Sequence, residues 1–234
     1  MSPLLEAQDL RVGYRGKQVL HGVSLVVGQG EIVGLIGHNG SGKSTLLKAM
    51  FGLVPVESGE VRFDGASITN RDAAENAAGG LALVPQAQGI FSELTVAENL
   101  RLGGYVVRDP AVLSARRDTV HELFPVLRER ATQIAGSLSG GEQQMVALGL
   151  ALMRAPRALL LDEPSLGLSP AIIDRVLESV RTVAERLGAS VLIAEQNVRQ
   201  LFRISDRVYG LKVGRVVVEG TPTDLGASRL RDLF

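Results

Sequence analysis

Gly37-His38-Asn39-Gly40-Ser41-Gly42-Lys43-Ser44-Thr45 is the stretch that decides how this chain folds. It fits the pattern G-x-x-x-x-G-K-[ST], and its flanks supply the context the pattern needs. Before it, residues 31–36 form a compact apolar run suited to a buried strand. After it, residues 44–51 read as a helix. The glycines let the backbone curl so that its N–H groups face phosphate oxygens, and the helix adds its positive N-terminal end. Lys43 reaches the β- and γ-phosphates as a mobile point charge, and the Ser44 hydroxyl is placed to bind Mg²⁺. A plain glycine turn before a helix is the bland alternative, and the strand and helix on either side weigh against it.

Working outward, residues 4–11 and 18–27 read as short strands separated by a turn at Gly13 and Gly16. Residues 61–63 and 81–84 are further strand candidates. Between Pro85 and Pro156 the character changes, with helical spacing at 94–102, 111–127 and 142–153 and no convincing strand. An apolar run then ends in acid at 158–162. The helix expected at 171–187 carries Ile172, Ile173, Val176, Leu177, Val180, Val183, Ala184 and Leu187 on one stripe. Gly188 is its expected stop. A buried strand at 191–195 and a hairpin around Gly214 complete the pattern. Strands alternating with helices argue for an α/β core with a mainly parallel sheet. The expected division is a core from 1–86 and 155–234, with 87–154 as a helical insertion.

The 234 residues suit one large domain with a small inserted unit. With 25 basic and 25 acidic residues the balance is neutral, which does not suggest a nucleic-acid partner. The absence of cysteine excludes disulfides and thiolate metal sites. The N-terminal residues do not read as a secretory signal, and no run approaches the roughly 20 apolar residues that span a bilayer. The expected location is cytoplasmic, with any membrane role exercised through a partner.

Ala158-Leu159-Leu160-Leu161-Asp162-Glu163-Pro164 places two acids at a strand end. Asp162 suits a Mg²⁺ contact beside the phosphate loop. Side chains alternate across a strand, so Glu163 is expected to point the other way. Past the strand end it could polarise a water attacking the γ-phosphate. Taken alone, the pair reads equally well as a helix cap.

Leu138-Ser139-Gly140-Gly141-Glu142-Gln143 lies between these motifs and just before a helix. It resembles the signature sequence of ABC transporter ATPases, and the resemblance runs over nearly the whole chain with the motifs in the family's order. It implies a RecA-like core of the P-loop NTPase type, an N-terminal antiparallel β subdomain and an inserted helical subdomain. By the same resemblance Tyr14 stacks on adenine, and Gln86 senses Mg²⁺ and the membrane partner. Ser165-Leu166-Gly167-Leu168 occupies the D-loop position. The resemblance further implies a head-to-tail dimer in which Ser139, Gly140, Gly141 and Glu142 close over ATP held by the other subunit. An anion site at a helix N-terminus is consistent with that role; an ordinary Ser N-cap is the plainer reading.

One position departs from the family pattern. After residues 191–194 most such ATPases carry a histidine that contacts the γ-phosphate, and here Glu195-Gln196-Asn197 stands instead. A glutamine amide donates hydrogen bonds but carries no charge. Together with Ser169-Pro170 and the run 94–100, this is similar to the smaller ATPase subunit of branched-chain amino-acid importers. By the same resemblance no regulatory domain is expected after the C-terminal stretch. The partners implied are a second ATPase subunit and transmembrane permeases. Residues 87–94, with Phe91 and Leu94 as apolar contacts, would line a groove for a permease helix; Phe91 could equally be core. ATPases of urea or amide importers, of lipid or lipopolysaccharide exporters, and nucleotide-gated ABC proteins outside transport are the other readings.

Overall fold

The structure, a computed structural model, describes residues 3–86 and 89–226. Two sheets carry it. The first is antiparallel, with order β2-β1-β4-β5, from β1 (Pro3–Tyr14), β2 (Lys17–Gly28), β4 (Ser58–Phe63) and the short β5 (Ala66–Ser67). The second has the order β10-β9-β3-β8-β7-β6. Its strands are β3 (Ile32–Ile36), β6 (Leu81–Val84), β7 (Ala158–Asp162), β8 (Ser190–Glu195), β9 (Arg207–Lys212) and β10 (Arg215–Gly220). All of its pairs are parallel except β9 with β10.

The continuous apolar runs of β3, β7 and β8 follow from burial on both faces. Ile32, Ile36, Leu159, Leu161, Val191 and Ile193 enter one core. Their neighbours Val33, Leu35, Ala158, Leu160, Leu192 and Ala194 enter the other, shared with the antiparallel sheet and α1 (Lys43–Phe51). At Gly34 a Cβ would lie 2.7 Å from Leu201 Cδ2, so the missing side chain lets α8 (Val198–Ile204) seat directly on β3.

Between β6 and β7 the described elements are helical. They are α3 (Val96–Gly103), α4 (Pro110–Leu123), α5 (Pro125–Glu129) and α6 (Gly140–Leu152), with a 3₁₀ turn before α6. The single helix expected over 111–127 is two, because Phe124 leaves helical geometry at φ −130° and ψ 76° ahead of Pro125. Also missed were β5, α2 (Ala73–Ala78) and α8, all short. The helix α7 (Pro170–Leu187) buries Val176, Leu177, Val180, Val183 and Ala184, while Leu187, expected on the stripe, is exposed in the last turn. Gly188 ends the helix with φ 63° as expected. Among the described residues no helix is long and apolar enough to cross a membrane.

Candidate functional site

In a parallel sheet of this kind the carboxyl ends of the strands form the ligand-binding edge. Here β3 runs into the phosphate loop, β7 ends at Asp162, β8 ends at Glu195, and Gln86 follows β6 by two residues. Parallel pairing sets Ile36 opposite Glu195 and Asp162 opposite Ala194. Residues far apart in sequence thereby meet on one edge.

The loop is shaped by its glycines. Gly42 holds φ 110°, a conformation that L side chains rarely adopt. The first intrahelical bond of α1 is Leu46 N–H to Gly42 O at 2.9 Å. The amides of Lys43, Ser44 and Thr45 precede it and have no acceptor within the helix. Ser41 Oγ is buried with no hydrogen-bond partner. Lys43, Ser44 and Thr45 line a cleft of about 210 Å³ together with Val19, Asn39, Gln86 and Glu163. A phosphate group fits this donor set.

Lys43 is almost wholly buried. Its Nζ donates to Gly37 O at 2.8 Å and His38 O at 3.2 Å and lies 2.9 Å from Glu163 Oε1. Ser44 Oγ donates to Asp162 Oδ1 at 2.9 Å. Two hard oxygens side by side are a donor set that suits Mg²⁺. No group of three or more His, Asp or Glu side chains suited to a metal occurs among the described residues. Burial pushes the Asp162 carboxyl above its usual range, reinforced by the Glu163 charge and opposed by the Ser44 bond.

Glu163 corrects the alternation argument. It does not point away from the site, because it adopts φ 49° immediately after β7 ends. That left-handed turn, held by Glu163 N–H to Ala194 O at 2.9 Å, brings its carboxylate back over the phosphate loop. Glu163 Oε2 accepts from Gln86 Nε2 at 3.1 Å and from Gln196 Nε2 at 2.9 Å. Gln196 Nε2 also donates to Asn39 Oδ1 at 2.5 Å. Both protons of the Gln196 amide are therefore engaged.

The structure does not bring every expected site residue here. Tyr14 is exposed at the end of β1, and neither it nor Ser139, Gly140, Gly141 or Glu142 lines this cleft. Ser139 instead caps α6. Its N–H and Oγ donate to Glu142 Oε2 at 2.9 and 2.7 Å, and Glu142 N–H returns a bond to Ser139 Oγ. Gly141 has a packing reason, since a Cβ there would collide with Ile172 Cγ2 of α7.

Gly214 is a supporting residue that the sequence reading placed only in a hairpin. It accepts from His21 N–H and donates to Ser41 O, each at 2.9 Å, so the β9–β10 turn braces the loop. No local motif marks that long-range contact.

Residues 20–166 match the ABC transporter family model. This chain belongs to the ABC transporter family. It is an ATP-binding, ATP-hydrolysing cassette. It is 45% identical over 223 residues to the high-affinity branched-chain amino acid transport ATP-binding protein BraG of Pseudomonas aeruginosa, covering 94% of this chain and 95% of that one. The probable branched-chain amino acid transport ATP-binding protein LivF of Archaeoglobus fulgidus is 39% identical, with 95% and 94% covered. The cassette also superposes on the ADP conformation of an ATP-binding cassette of an ABC transporter, with a TM-score of 0.89, 26% identity and 100% and 98% of the two chains covered.

Proposed function

We propose that the cassette powers an importer of branched-chain amino acids by hydrolysing MgATP in a head-to-tail pair with a second ATPase subunit. One observation carries the chemistry: Lys43, Ser44, Asp162, Glu163 and Gln196 converge on one sheet edge over a phosphate-sized cradle. The transported class rests on the two relatives above.

The phosphates of ATP take the amides of the loop and the Lys43 ammonium, which leaves Glu163 for them. Ser44 and Asp162 would hold Mg²⁺, with Gln86 beside them, and the ion would supply positive charge to offset that of the phosphates. Glu163 orients the attacking water and accepts its proton. Gln86 and Gln196 keep that carboxylate aimed at the γ-phosphate. Tyr14 stacks on the adenine, and Ser139 with Gly140, Gly141 and Glu142 faces the γ-phosphate held by the partner. Residues 87–154 are the helical unit that carries this signature to the partner, and 1–86 with 155–234 the nucleotide-binding core.

The permease contact falls beside Gln86. Ala87 and Gln88 of the expected groove lie outside the described residues, as do residues 227–234. Phe91 is exposed rather than core. Its backbone is pinned on both sides by the buried Asn99, which donates to Phe91 O and accepts from Phe91 N–H. A pinned backbone and a displayed aromatic suit a docking contact at the inner face of the membrane.

The test is reconstitution of the cassette with its permeases in vesicles. ATP-dependent uptake of leucine, isoleucine or valine is the expected result. ATP hydrolysis without uptake of any of the three would remove the transported class and leave the ATPase reading.

A further inference from the structure

Away from the phosphate cleft, and sharing no residue with it, lies a larger cavity of about 520 Å³. That is within the range of about 300–1,000 Å³ that small-molecule sites occupy. It opens between α7 and the corner at Phe124 where α4 turns into α5, with Met145 of α6 in its wall. Part of the lining is apolar. Phe124 and Met145 are buried, and Val126 packs against the same core while still facing the cavity. The polar part comes from α7, where Arg175, Glu178 and Ser179 share a face because residues three and four apart are neighbours on a helix. Glu129, at the end of α5, adds a second carboxylate.

The charges of α7 divide at this cavity. Asp174 pairs with Arg203, Arg181 with Glu185 and Arg186 with Glu122. Arg175 and Glu178 are its other charged residues, and among the described residues neither they nor Glu129 have an ion-pair partner. Arg175 acts on the Glu142 carboxyl without pairing with it. Ser179 Oγ donates its hydrogen to Arg175 O at 2.7 Å and so turns only acceptor capacity to the cavity. Unpaired charges of both signs thus stand beside an apolar surface.

We propose that this cavity binds a free α-amino acid with an aliphatic side chain. The Arg175 guanidinium takes the carboxylate, for which its paired N–H donors are shaped. Glu129, Glu178 and the Ser179 oxygen take the ammonium. Phe124, Val126 and Met145 cover the aliphatic part. A carboxylate or an amine alone would answer only one sign of the lining. The bound molecule ties α7 to the helices between β6 and β7, a seam held at the surface by the exposed and therefore weak Arg186–Glu122 pair at 3.1 Å. The ligand class follows from the lining and is independent of what the importer carries.

Titration of the full chain with leucine, followed by calorimetry and by methyl NMR, tests the site. Leucine is expected to bind with a Kd of about 1 mM or below, within reach of a ligand of its size. The methyl signals of Val126 and Met145 shift, while those of Leu5 and Val12, in the other core, do not. Arg175→Ala, at an exposed position, weakens leucine about tenfold or more. Isocaproate, which lacks the ammonium, and isoamylamine, which lacks the carboxylate, bind the wild type about tenfold or more weakly than leucine does. No leucine binding at about 10 mM would overturn the site. Binding undiminished in Arg175→Ala, or methyl shifts confined to other residues, would place leucine elsewhere and overturn it equally. Isocaproate or isoamylamine binding as tightly as leucine would overturn the amino-acid class. The methyl map of the wild type decides the location even where the variant does not fold.

Discussion

Lys43 Nζ lies 2.9 Å from Glu163 Oε1, with 3% and 4% of the two side chains exposed. The cation proposed to bind phosphate and the carboxylate proposed to activate water therefore hold each other. On the proposed function, phosphate would compete with Glu163 for Lys43 and free the carboxylate as substrate arrives. Glu163 is not then abandoned, because Gln86 and Gln196 still donate to its other oxygen. Both are neutral amides, so they orient the carboxylate without adding a positive charge beside it.

Lys43→Ala tests the first half of that exchange. The variant loses the point charge while the loop amides remain. Wild type at ATP about 100-fold above Kd should gain about 2.7 kcal/mol, which raises Tm by roughly 5–10 °C for a chain this size. The variant should show little of that rise in a thermal-shift titration. An equal rise in both chains would mean that Lys43 does not hold the phosphates.

Glu163→Gln tests the second half. The amide keeps the size of the side chain and removes the proton acceptor. Phosphate release should slow about 100-fold or more. ATP should then hold two subunits together long enough for light scattering to register the pair. Ordinary turnover in this variant would move the role of base to another group.

How far the sequence foretold this arrangement depends on the range of each interaction. The loop 37–45, the strands 81–84 and 158–162 and the stop at Gly188 were legible because local pattern determines them. The direction of Glu163 was not, since one left-handed residue reverses what strand alternation implies. Neither was the Asn39–Gln196–Glu163 chain, which joins residues separated by more than 150 and by 33 positions. The helix α8 was overlooked because seven residues offer too little periodicity, although Gly34 opposite Leu201 was its trace in the strand. The packing role of Gly141 also needed α7 in place to be seen.

The cap on α6 gives a pH-dependent prediction. Hydrogen bonds from Ser139 hold the Glu142 carboxyl below its usual range, aided by Arg130 and Arg175. A depressed carboxyl stabilises the folded chain above the ordinary glutamate pKa, and that stability is lost as pH falls through the lower folded value. Glu142→Ala should therefore lower Tm near neutral pH by about 1–4 °C, the size expected for an N-terminal charge and cap interaction. The gap should narrow as the solution is acidified. A gap independent of pH would assign the loss to packing instead of charge.

Phe91→Asp separates ATP chemistry from coupling. Phe91 is 52% exposed, so replacing it removes little core and should change stability by less than about 0.5 kcal/mol. The backbone clamp from Asn99 uses only main-chain atoms of residue 91 and survives the change. Basal ATPase activity of the isolated chain should persist, because no group of residue 91 reaches the Lys43–Glu163 cleft. In vesicles containing the permeases, stimulation of hydrolysis and amino-acid uptake should both fall, since a carboxylate replaces the apolar contact that the permease helix would cover. Retained uptake would move the docking surface away from Phe91. Loss of the folded chain, read by circular dichroism, would contradict its exposed placement.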